Sequence, residues 1–378
     1  MTWDITGLGA VASIGDDPRK IFDALCVGRS GVAELRVFDV SKYRAKHAYE
    51  IDDRAVPGVD EPGRATKWLR QAVSQALADA GLDSSHGEYP ILVGTTLREL
   101  RSAELWWRHR TPLALPNLHF GGALRSGFGT AESHTVASAC AASLYALGMA
   151  TDLIELGFVD TVVVAGTDSI TESSYGALDR LQNLTPRSVR PFHADRRGML
   201  MGEGAVAVVV RKPEVHGGPV HARVRGVSMN CDGAHPTMPD AASIARAIRE
   251  SHDRAKVRPD DIDMVITHGS GTKQNDLAET VALEDVFADV ALPPLVTSIK
   301  SSAGHTCGGS GLLSFVMGVL SLRNGAVPPI LGLDDRMEEA ADLRLVHGEP
   351  ALGDLSTAQI HSIGLGGINA VAIVEKAA

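Results

Sequence analysis

Three side chains in this sequence have the types and settings that reactive groups need. Cys140 lies in Ser138-Ala139-Cys140-Ala141-Ala142-Ser143, between a predicted strand and a predicted small-residue helix. A thiol at a helix start faces unpaired backbone N–H groups and the positive end of the dipole, and both favour the nucleophilic thiolate. Its small neighbours would let a substrate approach the backbone closely. His268 follows an apolar run in Thr267-His268-Gly269-Ser270-Gly271-Thr272, and His305 sits in the open stretch from Lys300 to Gly311. Each alone would ordinarily be a satisfied structural residue; together they offer an acid/base pair beside a nucleophile. A Cys/His/His zinc site is the competing use. Its ligands would be scattered singly, without the paired spacing of zinc motifs, so no metal is expected. The stretch Ser362-Ile363-Gly364-Leu365-Gly366-Gly367-Ile368-Asn369 is a glycine turn opening a last strand. It is either only a tight turn or a backbone N–H aimed at a developing oxyanion. Neither GxGxxG nor GxxxxGK[ST] occurs, which excludes the common dinucleotide and P-loop readings.

These residues need a scaffold, and the hydropathy pattern supplies one. Pro90–Gly94, Thr161–Gly166, Ala205–Val210, Met264–Ile266 and Ala370–Val374 read as strands that are apolar on both faces. Amphipathic stretches such as Arg64–Ala80 and Ala241–Ala255 lie between them. That combination predicts an α/β protein whose sheet is covered on both sides. There is also an internal echo. Thr135–Cys140 leads into a small-residue helix and the strand near Val163; Leu295–Lys300 leads through Gly304-His305 into a helix ending at Leu322. Two similar halves are expected, residues 1–212 and 213–378, divided at the Pro/Gly-rich break Arg211–Pro219.

Composition narrows the class further. The 378 residues are 44% hydrophobic and 22% charged, enough apolar mass for a large core and too ordinary in charge for disorder. A net charge of −10 argues against nucleic acid or an anionic membrane as the main partner. The longest apolar run, Gly311–Leu322, is too short to span a bilayer. The start, Met1-Thr2-Trp3-Asp4, lacks a basic secretory leader, and four cysteines without a CxxC pair make no disulfide framework. A cytoplasmic enzyme is expected.

Taken in order, the segments resemble the β-ketoacyl synthases, the decarboxylating condensing enzymes of fatty acid and polyketide assembly, close to the synthase II and type II polyketide ketosynthase group. The landmarks are Thr6-Gly7-Leu8-Gly9, Ala137–Ala142 around Cys140, Arg190-Pro191-Phe192 through Met201–Ala205, His268–Thr272 with Asn275-Asp276 and Glu279, Lys300-Ser301 with Gly304-His305, and Gly364–Asn369. The resemblance implies a thiolase-like five-layer α-β-α-β-α sandwich built from two pseudo-repeated halves, usually dimeric. It implies that Cys140 carries the acyl chain as a thioester. His268 and His305 would stabilise the enolate formed when a malonyl thioester loses carbon dioxide. Lys300 would orient the site, supported by Glu279 and Asp276. The oxyanion would meet the N–H groups of Cys140 and Leu365, beside a gate of Ile363, Gly364 and Leu365. Ser270 and Thr272 would hold the phosphopantetheine arm, which arrives on an acyl carrier protein in trans, so the protein needs no cofactor of its own. Arg64, Lys67, Arg70 and Arg196 are candidates for a basic carrier-docking patch. A homodimer, or a heterodimer with a ketosynthase-like subunit, is implied.

Three departures from the family pattern stand out. Ile363 and Leu365 replace phenylalanines of an aromatic gate; His193 replaces an aspartate; and the chain is short across Leu97–Gly129, a region that lines the acyl pocket and the dimer interface in relatives. The altered gate motivates an alternative, acyl transfer from Cys140 without decarboxylation. A non-catalytic partner subunit is the other alternative, and the presence of Cys140, His268 and His305 argues against it.

Overall fold

The computed structural model describes residues 2–56, 58–83, 89–130, 132–213, 215 and 217–377, so residues 214 and 216 of the Arg211–Pro219 break lie outside the described chain. Among the described residues, eleven strands share one sheet. They are β1 (Trp3–Ala12), β2 (Ile91–Gly94), β3 (Ser133–Val136), β4 (Thr161–Asp168), β5 (Gly204–Arg211), β6 (Ala222–Cys231), β7 (Met264–Ile266), β8 (Leu295–Thr297), β9 (Arg344–Leu345), β10 (Thr357–Gly364) and β11 (Ile368–Lys376). Their order is β9-β8-β7-β10-β11-β6-β1-β5-β4-β2-β3.

Reading outward from the centre, the same topology occurs twice. β1 pairs antiparallel with β5, β5 antiparallel with β4, and β4 parallel with β2, which is parallel to β3. On the other side β6 pairs antiparallel with β11, β11 antiparallel with β10, and β10 parallel with β7, which is parallel to β8. β1 and β6 join the two sets antiparallel. The sequence echo is therefore topological: β3 corresponds to β8, and β4 to β10.

Alternation along the strands produces the layers. Val162 and Val164 of β4 face a central core, together with Ile266 of β7 and Ile360 of β10. Val163 and Ala165 face the opposite way, onto helix α1 (Arg64–Asp79). Val265, Ile363 and Val371 face outward under α3 (Ala241–Ala255) and α4 (Lys273–Phe287). The central core is filled by α2 (Ala142–Glu155) and α5 (Ser310–Asn324), which carry Leu144, Leu147, Phe315 and Val316 into it. The two strand sets of the continuous sheet lie on either side of these helices and count as two layers, so the order is helix–sheet–helix–sheet–helix, the five layers expected. α5 is buried on all sides from Ser310 to Leu322, as a helix apolar all round must be inside a large protein. No helix among the described residues is long and apolar enough to cross a membrane.

Close packing explains the glycines of Thr6-Gly7-Leu8-Gly9. A Cβ at Gly7 or Gly9 would lie 2.0 Å from the carbonyl oxygen of Ala76 or Ala72, so α1 can rest on β1 only if both side chains are missing.

Candidate active site

The reactive residues come from the carboxyl ends of strands in both halves, where an α/β sheet leaves room for ligands. After β3 the chain turns through a short 3-10 segment, Ala139–Ala141, into α2. Ala139 takes φ +47° there, a left-handed backbone for a non-glycine residue, and lifts Cys140 toward the pocket. In the equivalent position after β8, Lys300–Ala303 forms a short helix, Gly304 follows at φ +71°, and His305 comes next. A Cβ at Gly304 would lie 2.5 Å from the Tyr49 ring, so only glycine allows this turn. His268 follows β7.

Residues distant in sequence thus converge. His305 Nε2 lies 3.0 Å from Cys140 Sγ, and the two imidazole centroids are 5.1 Å apart, edge to face. Lys300 Nζ donates to the His268 carbonyl and lies 3.5 Å from His268 Nδ1. An ammonium can only donate, so Nδ1 is the acceptor nitrogen and the proton of neutral His268 sits on Nε2. Burial, reinforced by the Lys300 charge, holds both histidines well below the ordinary imidazole range, so both are neutral at pH 7. Burial also lowers Lys300 to about 8, opposed by Glu279.

The thiol behaves differently from the sequence expectation. Burial pushes Cys140 up to about 11, although the Lys300 charge and the N–H groups of Leu365 and Cys140 favour the thiolate. The helix start is outweighed by loss of water, and the resting pair is thiol and neutral imidazole.

The surrounding residues hold this geometry. Glu279 accepts from the backbone N–H groups of His268 at 2.8 Å and Gly269 at 2.7 Å, and from Asn275 at 2.8 Å. It supports the backbone directly and reaches Lys300 only through its charge. Asp276 is farther from the chemistry: it accepts from the N–H of Phe192 at 2.9 Å and of Gly271 at 3.2 Å, tying the central signature to the His268 turn. Ser270 and Thr272 line the cavity with Cys140 and His268, and their hydroxyls are 2.9 Å apart. Thr272 also caps α4 through the Asn275 N–H. The cavity has a volume of about 270 Å³, and Ile363, Gly364 and Leu365 form part of its wall. Ile363 is buried, whereas Leu365 is 45% exposed at the mouth.

Several expectations need correction. Arg64 is buried in ion pairs with Asp53 and Glu203 and cannot present charge to a carrier, whereas Arg196, buried 3.8 Å from Asp276, lies in the cavity wall rather than on a docking surface. Lys67 is exposed but paired with Asp53 at 2.9 Å, and Arg70 is exposed as well. No residue of 97–129 borders the cavity, unlike the pocket-lining role the resemblance implied. His193 is buried against Asp334 at 2.8 Å and accepts from the Asp195 N–H, which makes it a fold contact. Sequence reasoning missed Ser362, whose hydroxyl donates to the Cys140 carbonyl at 2.8 Å, and Asp168, which accepts from Gly308, Thr96 and Leu97. A strand terminating in an aspartate at Gly166-Thr167-Asp168 was the available signal for the second.

A thiol and two neutral imidazoles from separate strand ends meet at one site, and comparison with known proteins decides the family. Residues 4–216 match the β-ketoacyl synthase N-terminal domain, and residues 221–334 the β-ketoacyl synthase C-terminal domain. The chain belongs to the β-ketoacyl synthase family. It is 29% identical to a 3-oxoacyl-[acyl-carrier-protein] synthase 2 of Synechocystis sp., across 98% of this chain and 97% of that protein. It is 28% identical to the actinorhodin polyketide putative β-ketoacyl synthase 1 of Streptomyces coelicolor, across 99% and 88%. Among solved structures, the ishigamide ketosynthase/chain length factor superimposes with TM-score 0.90 at 30% identity, covering 100% of this chain and 99% of that one. A β-ketoacyl synthase from Burkholderia phymatum gives TM-score 0.87 at 27% identity, covering 100% and 99%.

Proposed function

We propose that this β-ketoacyl synthase performs decarboxylative condensation, with Cys140 as acyl carrier and His268 and His305 as the decarboxylating pair. The 3.0 Å contact between His305 Nε2 and Cys140 Sγ, with neutral His268 beside it, carries this reading. In the first half-reaction the Cys140 thiol gives its proton to His305 Nε2 as sulfur attacks the acyl thioester. The tetrahedral oxygen is met by the N–H groups of Cys140 and Leu365. The carrier thiolate departs and takes the proton from His305. In the second, the bond from malonyl carbon to carboxylate breaks and carbon dioxide leaves. The electron pair passes to the thioester oxygen, stabilised by the Nε2–H of His268 and, once the His305 ring proton has exchanged from Nδ1 to Nε2 through solvent, by His305 as second donor. The enolate carbon attacks the acyl-Cys140 carbonyl, and collapse expels the Cys140 thiolate, which recovers a proton from solvent through His305. Because carbon dioxide loss creates the nucleophile, no strong base is required.

The ligating atoms of Cys140, His268 and His305 lie within 4.8 Å of one another, a spacing an ion could also bridge. The buried Lys300 ammonium beside His268 opposes a second cation there. We therefore assign the site to metal-free chemistry. The carrier protein arrives in trans, its phosphopantetheine arm passing Ser270 and Thr272. The exposed edge strand β3, four residues before the nucleophile, supports assembly with a second copy or a ketosynthase-like subunit. The two halves divide near residue 212, after β5.

The test offers acyl-carrier and malonyl-carrier thioesters and follows both intact mass and carbon dioxide. An acyl adduct absent from Cys140→Ala, with carbon dioxide released stoichiometrically with product, is expected. Acylation with product but without carbon dioxide would defeat condensation.

A further inference from the structure

Strand β10 carries a buried amide and a buried imidazole on the face that points away from the central core. Ala358 and Ile360 face the central core, and Ile363 faces the outer core under α3 and α4. Gln359 and His361 are also buried, at 0% and 1% exposure, in a sheet covered on both faces. Burying an amide and an imidazole this deeply costs several kcal/mol, on the order of 2–7 each, unless every polar atom is bonded. Here each one is bonded, and the bonds run in a single direction.

His252 Nε2, on α3, lies 2.6 Å from Gln359 Oε1. Gln359 Nε2 lies 2.7 Å from His361 Nε2. His361 Nδ1 lies 3.0 Å from Glu279 Oε1. With His361 neutral, the donor inventory permits one assignment. An ionised carboxylate only accepts, so His361 bears its proton on Nδ1 and accepts at Nε2 from the Gln359 amide. The Gln359 oxygen then accepts from His252 Nε2–H. The chain ends on the carboxylate that holds the His268 and Gly269 N–H groups. That carboxylate also supplies the largest favourable charge to Lys300.

We propose that His361, oriented by Gln359 and His252, is a positioning residue for this reaction: it fixes the Glu279 carboxylate and thereby keeps Lys300 charged against His268 Nδ1, so that His268 presents Nε2–H to the substrate. This rests on the condensing function above. The electrostatic surroundings agree. Burial works against a charge on Glu279, yet His361 and the two backbone N–H groups bring it below the ordinary carboxylate range. Lys300 is faced by Glu279 and Asp276 of α4, by Cys140 and by His268. His361 is faced by Glu279, His252 and His268. Asp276 is the one anion near Glu279 among these groups, and burial raises it to about 7, so it opposes Glu279 weakly at neutral pH.

Three full-length variants test the chain: His361→Phe removes the donor, His361→Gln retains an amide that can donate and accept, and Gln359→Met removes the orienting link at similar volume. Two readouts are needed. One is the pH profile of carbon dioxide release from malonyl-carrier thioester. Wild type should lose activity above about 8, where Lys300 discharges. In His361→Phe that limb should move down in pH and the rate at pH 7.5 should fall ~10-fold, the loss of one hydrogen bond to a charged group. Gln359→Met should move the same way by less, and His361→Gln should recover most of the rate. The other readout is nitrogen-15 NMR of the imidazoles, with His268→Gln for assignment. It should show His268 as the Nε2–H tautomer in wild type and a mixture in His361→Phe. An unmoved limb and tautomer in His361→Phe and in Gln359→Met, or a His361→Gln variant no better than His361→Phe, overturns the proposal. If wild type takes acyl groups but releases no carbon dioxide, the condensing function fails, and the NMR arm alone still decides the chain.

Discussion

Gly308 offers the sharpest test of how the two halves hold the site together. It lies three residues after His305, in the short 3-10 turn Cys307–Gly309 that leads into α5, and its N–H donates to Asp168 at 2.7 Å. A Cβ there would sit 2.5 Å from Thr95 Cα, 2.6 Å from Thr95 C and 2.7 Å from Thr96 N. All three are backbone atoms that cannot rotate aside. Restoring an ordinary contact of ~3.5 Å needs a displacement of about 1 Å between the His305 segment and the turn after β2. Overpacking of this kind costs about 1–3 kcal/mol in stability. A shift of ~1 Å in reacting groups can cost on the order of 100-fold in rate. Gly308→Ala should therefore lower the melting temperature modestly while slowing acylation of Cys140 by about two orders of magnitude. The disproportion is the signature, because His305 Nε2 must remain at 3.0 Å from Cys140 Sγ. Gly122→Ala is the control: nothing lies within 4 Å of its Cβ, it is helical, and alanine there should stabilise by about 0.5–1 kcal/mol. Calorimetry and rapid-quench acylation measure both. A Gly308→Ala enzyme that acylates at the wild-type rate would refute the claim that this contact sets the His305 position.

Other measurements probe the electrostatics. With Cys140 at about 11, iodoacetamide labelling should be slow at neutral pH and rise about tenfold per pH unit up to about pH 10; a plateau below pH 7 would indicate a resting ion pair with His305 instead. Glu279 has a folded value below its ordinary 4.5, so its contribution to stability is complete above that value and is lost as pH falls through the folded one. Glu279→Gln should remove that acid-side loss from the urea-unfolding profile and lower stability at pH 7. Ser362→Ala leaves the buried Cys140 carbonyl without its 2.8 Å donor and should cost about 1–3 kcal/mol, read by calorimetry, with slower acylation.

The sequence and the structure agree where local pattern dictates the outcome. The apolar strands, the α1 amphipathic face and the small-residue helices follow from periodicity, and the echo between Thr135–Cys140 and Leu295–Lys300 reappears as matching strand orders. Cys140, His268 and His305 were visible because each sits in a glycine- or alanine-rich turn at a strand end. What pattern could not give is the consequence of burial. The helix start at Cys140 suggests a thiolate, yet the sealed surroundings outweigh it. Arg64 and Arg196 look like surface cations, yet their carboxylate partners, Glu203 and Asp276, come from remote segments and draw them inside. Gln359 and His361 show the same limit from the other direction. In Thr357-Ala358-Gln359-Ile360-His361 the polar/apolar alternation is that of a strand with one wet face. α3 and α4 cover that face, and only the positions of His252 and Glu279 show why polar side chains are tolerated there. A period-2 pattern specifies which residues share a face; whether that face meets water or a carboxylate is set by helices about a hundred residues earlier in the chain.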